Sequence, residues 1–384
     1  MGRRFLRAMA VTLIAGVLTV SCASTVPPRE SASPSTTPTA TPTPTPTLDP
    51  VEEAVRGMSI AERAASVVMG HIPTDDPDAA RAYMQSGLGG FLLMGANVTA
   101  GPEQVQTFSA ALTMDPALPP LIAIDQEGGV VSRLPWDDLA AGRALQHAAP
   151  DETRRVFAER AALVAAAGAN VNFGIVADVP ADAGSFIASR ALGADADGAA
   201  DRTAAAVAGE QGLVYSTLKH FPGHGAAPGD SHHSIPTTAL ALAQWRDADA
   251  KPFAAGIEAG AELLMFGHLA FTAIDAAPAS MSARWHDIAR DELGFDGVMI
   301  TDDLGMLLSS GVAAYADPVG NAVAALAAGN DMVLMVAGST PQTASEMVSG
   351  IIAAVEEGRL PSERLQDAAE RVMALRMQHA DAIE

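Results

Sequence analysis

Cysteine is almost missing from this chain: 384 residues carry one, Cys22. A lone cysteine closes no intramolecular disulfide, which excludes a disulfide scaffold and a Cys-rich zinc module. Basic residues are also few, with Lys+Arg 23 against Asp+Glu 45 and a net charge of −22. A nucleic-acid binder needs a net basic surface to displace counterions, so no nucleic-acid partner is expected, nor binding to anionic lipid through a basic face. Aromatic residues make up 4 %, low for a lectin built on stacking platforms. No apolar run reaches the ~20 residues of a membrane-spanning helix. What is present is apolar bulk. Hydrophobic residues are 49 % and charged residues 18 %, so a large core is available and global disorder is excluded. At about 100–200 residues per domain, the length allows two or three ordinary domains or one large barrel.

The N-terminus reads as an address. Arg3, Arg4 and Arg7 precede the uncharged run from Ala8 to Val20, the pattern of a secretory signal over residues 1–21. The run ends at Leu18-Thr19-Val20-Ser21-Cys22-Ala23, which resembles a bacterial lipobox, with Cys22 as the lipidated mature N-terminus. The expected location is therefore the outer face of the cell membrane; ordinary signal cleavage would instead leave a secreted protein. Residues 22–50 are mostly Ser, Thr, Pro and Ala, which bury nothing and form an extended tether.

From residue 51 to 384 short apolar runs alternate with helical patterns. Strands are predicted at Ser66–Met69, Gly90–Met94, Leu121–Asp125, Val171–Val176, Tyr215–Lys219, Leu263–His268, Val298–Thr301 and Met332–Val336. Helices are predicted from the Ser59-Ile60-Ala61-Glu62 capping box and over Glu152–Ala167, Ala199–Glu210, Leu240–Ala259, Asn321–Ala328, Thr340–Glu357 and Ser362–His379. Buried strands separated by helices indicate parallel βα units and a single (β/α)₈ TIM-type barrel. A doubly wound open sheet is the alternative, weakened by the lack of a GxGxxG fingerprint after a first strand.

Charged residues cluster at the C-terminal ends of these strands: Asp125 and Glu127, Asp178, Lys219 and His220, His268, and Asp302 with Asp303. In a barrel such ends converge on one mouth, where active sites form. The densest cluster is Lys219-His220-Phe221-Pro222-Gly223-His224-Gly225 followed by Asp230-Ser231-His232-His233. A metal site of His220, His224, His232 and Asp230 is one reading. The Pro-Gly between His220 and His224 keeps that pair off a helix, Lys219 would repel a cation, and no metal is expected. A satisfied structural network is the other reading for His220, His224 or His233.

These motifs resemble glycoside hydrolase family 3, in particular its single-domain bacterial β-N-acetylglucosaminidases (the NagZ type). The matching segments are Asp125-Gln126-Glu127-Gly128-Gly129 with Arg133, Ser189-Arg190-Ala191-Leu192-Gly193, Lys219–Gly225 with Asp230-Ser231-His232, Pro278–Ser282, and Gly294–Gly297 with Thr301-Asp302-Asp303-Leu304-Gly305-Met306. They span about residues 55–375. The resemblance implies a (β/α)₈-type barrel acting without a cofactor, as a monomer, on carbohydrate. It implies a retaining, exo-acting β-N-acetylglucosaminidase that uses Asp302 as nucleophile. Asp303 is the competitor, and on a strand only one of two neighbours faces the substrate. It further implies an Asp230–His232 acid/base dyad, with a buried carboxylate fixing the tautomer of a histidine whose reference pKa is near 6.5. Asp125, Arg133, Arg190, Lys219 and His220 would bind the sugar hydroxyls, and Met306 would pack near the acetamido group. Val130 stands where the family often has Arg. With an exported enzyme the substrates expected are N-acetylglucosamine-containing muro-sugars of the cell wall. Phosphorolysis, a β-glucosidase of the same family and a non-catalytic sugar-binding lipoprotein are the alternatives, with a lipid-anchored metallohydrolase further off.

Overall fold

A computed structural model describes residues 49–99 and 101–383. The signal segment, Cys22 and the tether as far as residue 48 lie outside the described residues. The first helix, Pro50–Gly57, takes in the last proline read as tether: the Asp49 side chain accepts from the Val51 amide, and Pro50 sits where no N–H is needed. The capping box forms as expected. Ser59 Oγ accepts from the Glu62 amide and the Glu62 carboxylate accepts from the Ser59 amide, opening the helix Ile60–Ser66.

Eight parallel strands close into a barrel: β1 Val68–Gly70, β2 Gly90–Leu93, β3 Leu121–Ile124, β4 Val171–Val176, β5 Tyr215–Phe221, β6 Leu263–Phe266, β7 Val298–Asp303 and β8 Met332–Leu334. Closure runs through β8 and β1, with Val68 opposite Val333 and Met69 opposite Leu334, so the open sheet is excluded. Every predicted strand is present. The first begins two residues later than expected because Ser66 is still helical, its hydroxyl donating to the Arg63 carbonyl. The single helix predicted over Leu240–Ala259 is two, Leu242–Asp247 and Ala250–Glu258. Pro252 is the physical reason. It lacks the N–H that an unbroken helix would require, and is tolerated in the first turn of a restarted one.

Side chains alternate across each strand, and this decides what reaches the mouth. Val298 and Ile300 of β7 join the barrel interior, as do Leu121 and Ala123 of β3 and Tyr215 of β5, while Met299 and Leu218 pack in the layer between strands and helices. Continuing the same parity upward carries Asp125, Lys219 and Asp302 inward. The opposite end is plugged: Val372 and Leu375 of the last helix, Ser362–Ile383, pack into the interior, and Tyr215 Oη donates to the Leu375 carbonyl at 2.8 Å. Below β8 the fully buried Asp331 accepts from Arg290, from Arg364 at 2.6 Å and from the Met299 amide at 2.9 Å. The closed end is thus fastened by a buried carboxylate with several donors, which leaves the C-terminal mouth for chemistry.

Candidate active site

Lys219 is the centre of the polar floor. Its Nζ lies 3.0 Å from Asp125 Oδ1 and 2.7 Å from Glu127 Oε1. Arg133 reaches Asp125 Oδ2 at 3.2 Å, and Arg190 grips Glu127 with two bonds of 2.9 and 2.7 Å. Burial opposes ionisation of Asp125, but Lys219 and Arg133 outweigh it and bring the carboxyl down to about 2. Glu127 is lowered in the same way, burial being overcome by Lys219 and Arg190. The strand end that carries these carboxylates turns sharply at Gly128 and Gly129, with φ of +82° and +64°. A Cβ on Gly128 would lie 2.3 Å from Arg160, whose guanidinium is buried against Asp137 at 2.7 Å. Gln126 ties this support to the substrate side, accepting from the Arg133 and Leu134 amides and donating to Asp137.

His220 is held between two partners. Its Nδ1 donates to Asp178 Oδ2 at 2.7 Å, and its Nε2 accepts from Arg190 at 3.2 Å, since a guanidinium has only donors. Burial first, and the Arg190 charge second, push the ring well below its ordinary value. Asp178 also accepts from the His220 and His224 amides and so shapes the start of the loop after β5. The Lys219–His220 and Phe221–Pro222 peptide bonds are cis.

The adjacent carboxylates on β7 separate cleanly. Asp303 Oδ1 accepts from the Gly305 and Val336 amides and Oδ2 from the Ala337 amide, at 2.8–2.9 Å. It caps the helix Leu304–Ser309 and joins β7 to the chain leaving β8. Both carboxylates line the cavity, but Asp302 accepts from one amide only, that of Asp303 at 2.8 Å, and its remaining oxygen carries no such bond. Burial works against its charge. The His220 and His268 rings, that amide and Lys219 outweigh burial and hold the carboxyl below its ordinary value.

Asp230 and His232 meet in the loop after β5, Oδ1 to Nδ1 at 2.6 Å, and the same oxygen accepts from the His232 amide. The carboxylate is not buried as expected. The two side chains are 36 % and 55 % exposed, because their loop stands over the mouth rather than packing into it. The His232 bonds outweigh the slight desolvation and keep Asp230 below its ordinary value. Among the described residues no three His, Cys, Asp or Glu side chains are placed to hold a metal ion, and His224 bonds Ser231 Oγ through Nε2.

All of these surround one cavity of about 270 Å³, lined by Asp125, Arg133, Arg190, Lys219, His220, His232, Asp302 and Met306, with Met94, Phe186 and Met265 among its apolar walls. Residues 59–375 match the family model described as the glycosyl hydrolase family 3 N-terminal domain. The chain belongs to glycosyl hydrolase family 3. A β-hexosaminidase of Stenotrophomonas maltophilia (strain K279a) is 38 % identical over 225 residues, covering 55 % of this chain and 66 % of its own length. A family 3 β-N-acetylglucosaminidase structure from Paenibacillus sp. str. FPU-7 superposes with a TM-score of 0.78 at 31 % identity, over 85 % of this chain and 64 % of that one. A β-N-acetylhexosaminidase from Beutenbergia cavernae DSM 12333 gives a TM-score of 0.73 at 30 % identity, over 83 % and 98 %. The chain thus spans just under two thirds of the first two relatives.

In this family 3 barrel every site residue named from the sequence lines the cavity except Asp230, which stands behind His232, and Cys22, which lies outside the described residues. Arg133 and Arg190 form the ion pairs of a structural role and also line the cavity. Val130 is 74 % exposed at the tip of the Gly128–Val131 turn, away from the floor. Glu127 and Asp178 stood out at strand ends but carried no role in the sequence; the ion pairs above supply one. Phe186 carried no sequence signal at all.

Proposed function

We propose that this protein is an exo-acting, retaining β-N-acetylglucosaminidase. One observation carries the reading: an ionised carboxylate, Asp302, and an Asp-backed histidine, His232, open into the same small cavity, floored by charged hydrogen-bonding groups. Its volume of about 270 Å³ lies just under the roughly 300–1,000 Å³ of drug-sized ligand pockets, the scale of one sugar ring. Asp125, Arg133, Lys219, Arg190 and His220 bind the ring hydroxyls, and Met306 packs beside the acetamido group. Asp302 attacks the anomeric carbon while His232 Nε2–H protonates the departing oxygen. The neutral imidazole then takes a proton from water as water displaces Asp302, and two inversions give retention.

Water is the acceptor in this reading. Lys219, Arg133 and Arg190 face three carboxylates, Asp125, Glu127 and Asp302, so the floor carries no surplus positive charge for a phosphate. The names of the relatives support the hexosaminide substrate. The purified full-length protein should release chromophore from an aryl β-N-acetylglucosaminide and not from the β-glucoside, with the β-anomer appearing first by NMR. Preference for the glucoside would move it to another branch of the family, inverted product would remove the covalent mechanism, and a sugar 1-phosphate formed in phosphate buffer would make it a phosphorylase.

The N-terminal pattern supports an exported, lipid-anchored form acting on muro-sugars of the cell wall. Cys22→Ala should move the protein from the membrane fraction to the medium with its specific activity unchanged; retention in the membrane would remove the lipobox reading.

A further inference from the structure

Phe186 is an exposed aromatic residue at the mouth of the cavity, on the chain between β4 and Arg190. Its ring meets three functional groups at once. The centroid lies 6.1 Å from that of His232, at 66° and edge-on, and 5.4 Å from that of His224. The Arg190 guanidinium carbon stands 6.0 Å from the same centroid. His224 and His232 both belong to the loop after β5, and His224 also bonds Ser231, the residue before His232.

The dyad alone leaves one problem unsolved. Asp230 sits two residues from His232 in the same loop, so it fixes the tautomer and the direction of the ring relative to that loop. It does not fix the loop relative to Asp302. A contact from another element is required, and Phe186 supplies it from the β4 side, braced in turn by Arg190 and so by Glu127. In an edge-to-face pair the phenyl face attracts the imidazole edge, and more so when the imidazole is an imidazolium. The charged and titratable groups around His232 are Asp230 and His233 in its own loop, His224 earlier in that loop, Arg190 behind Phe186, and Asp302 across the cavity.

We infer that Phe186 is a positioning residue for the acid/base histidine, holding the loop so that His232 Nε2 addresses the anomeric centre in both half-reactions. The inference rests on the assignment of His232 under Proposed function. Deglycosylation gives a clean test, because the aglycone has left by then and a residue that merely stacks on the aglycone has nothing to hold. The full-length wild type is compared with Phe186→Leu, which keeps apolar bulk and loses the ring, and Phe186→Tyr, which keeps the ring. Phenyl and 2,4-dinitrophenyl β-N-acetylglucosaminides serve as substrates, with and without azide.

In Phe186→Leu, kcat/KM on the phenyl glycoside should fall about tenfold, a modest part of the ~10²–10⁴-fold worth of general acid–base catalysis. Its kcat on the dinitrophenyl glycoside should fall severalfold and recover with azide, and Phe186→Tyr should stay within about twofold of wild type. Three outcomes would overturn the inference while leaving the enzyme reading intact: a leucine variant equal to wild type on both substrates; a loss confined to the glycosylation step, with deglycosylation unchanged; or equal losses in both variants on both substrates without azide rescue. A wild type inert on both glycosides would overturn the enzyme reading, and this inference with it.

Discussion

Asp302→Ala will turn over no β-N-acetylglucosaminide, activated or not. Losing a covalent nucleophile removes the step itself, and such losses reach ~10⁶-fold in kcat. Azide can act on this variant only by direct displacement in the space the carboxylate vacated, which gives the α-azide, whereas interception of a glycosyl-enzyme gives the β-azide. The paired control is Asp303→Asn. Asp303 holds three backbone amides and caps a helix, so this change should lower the unfolding midpoint while a glycosyl-enzyme still forms. Peptide mass analysis of a trapped intermediate checks both. A label on Asp303, or residual turnover in Asp302→Ala within 10²-fold of wild type on the scale above, would reverse the two roles.

His232→Ala should be selective where Asp302→Ala is not. A 2,4-dinitrophenolate leaves without a proton, so glycosylation survives, deglycosylation stalls for want of a base, and the intermediate accumulates on Asp302. A poor leaving group should be lost by ~10²–10⁴-fold. Azide needs no base, and should restore turnover of the activated substrate as the β-azide. Asp230→Asn should give a milder form of the same phenotype: the bond to His232 Nδ1 is short, but the pair is half exposed, and solvent takes over part of the stabilisation. Pre-steady-state bursts and product analysis distinguish these outcomes. A variant equally slow on good and poor leaving groups, without azide rescue, would remove His232 from proton transfer.

Much of this site was legible before any fold. Asp125, Lys219 and Asp302 stand at the ends of apolar runs, and a parallel barrel places such ends at one mouth. Strand parity then carries all three inward, a local property of a period-two chain. The Ser59–Glu62 capping box is local in the same sense. Errors arose where a local pattern had two solutions. Pro252 splits a helix that apolar periodicity alone would have continued, and Ser66 is kept helical by a hydroxyl bond that no periodicity records.

Other features of the site depend on partners far apart in the chain. Lys219 becomes the shared cation of Asp125 and Glu127, and Arg190 joins Glu127 to His220, only when β3, β4 and β5 lie side by side. The difference between Asp302 and Asp303 comes from amides beyond β8 that occupy Asp303. The exposure of the Asp230–His232 pair and the place of Phe186 against it depend on how two loops meet over the mouth. Which residue types sit at which strand ends is written in the order of the amino acids, because alternation and capping act within a few residues. Pairing, burial and charge state belong to the fold, because hydrogen bonds and desolvation depend on which distant groups approach within about 3 Å.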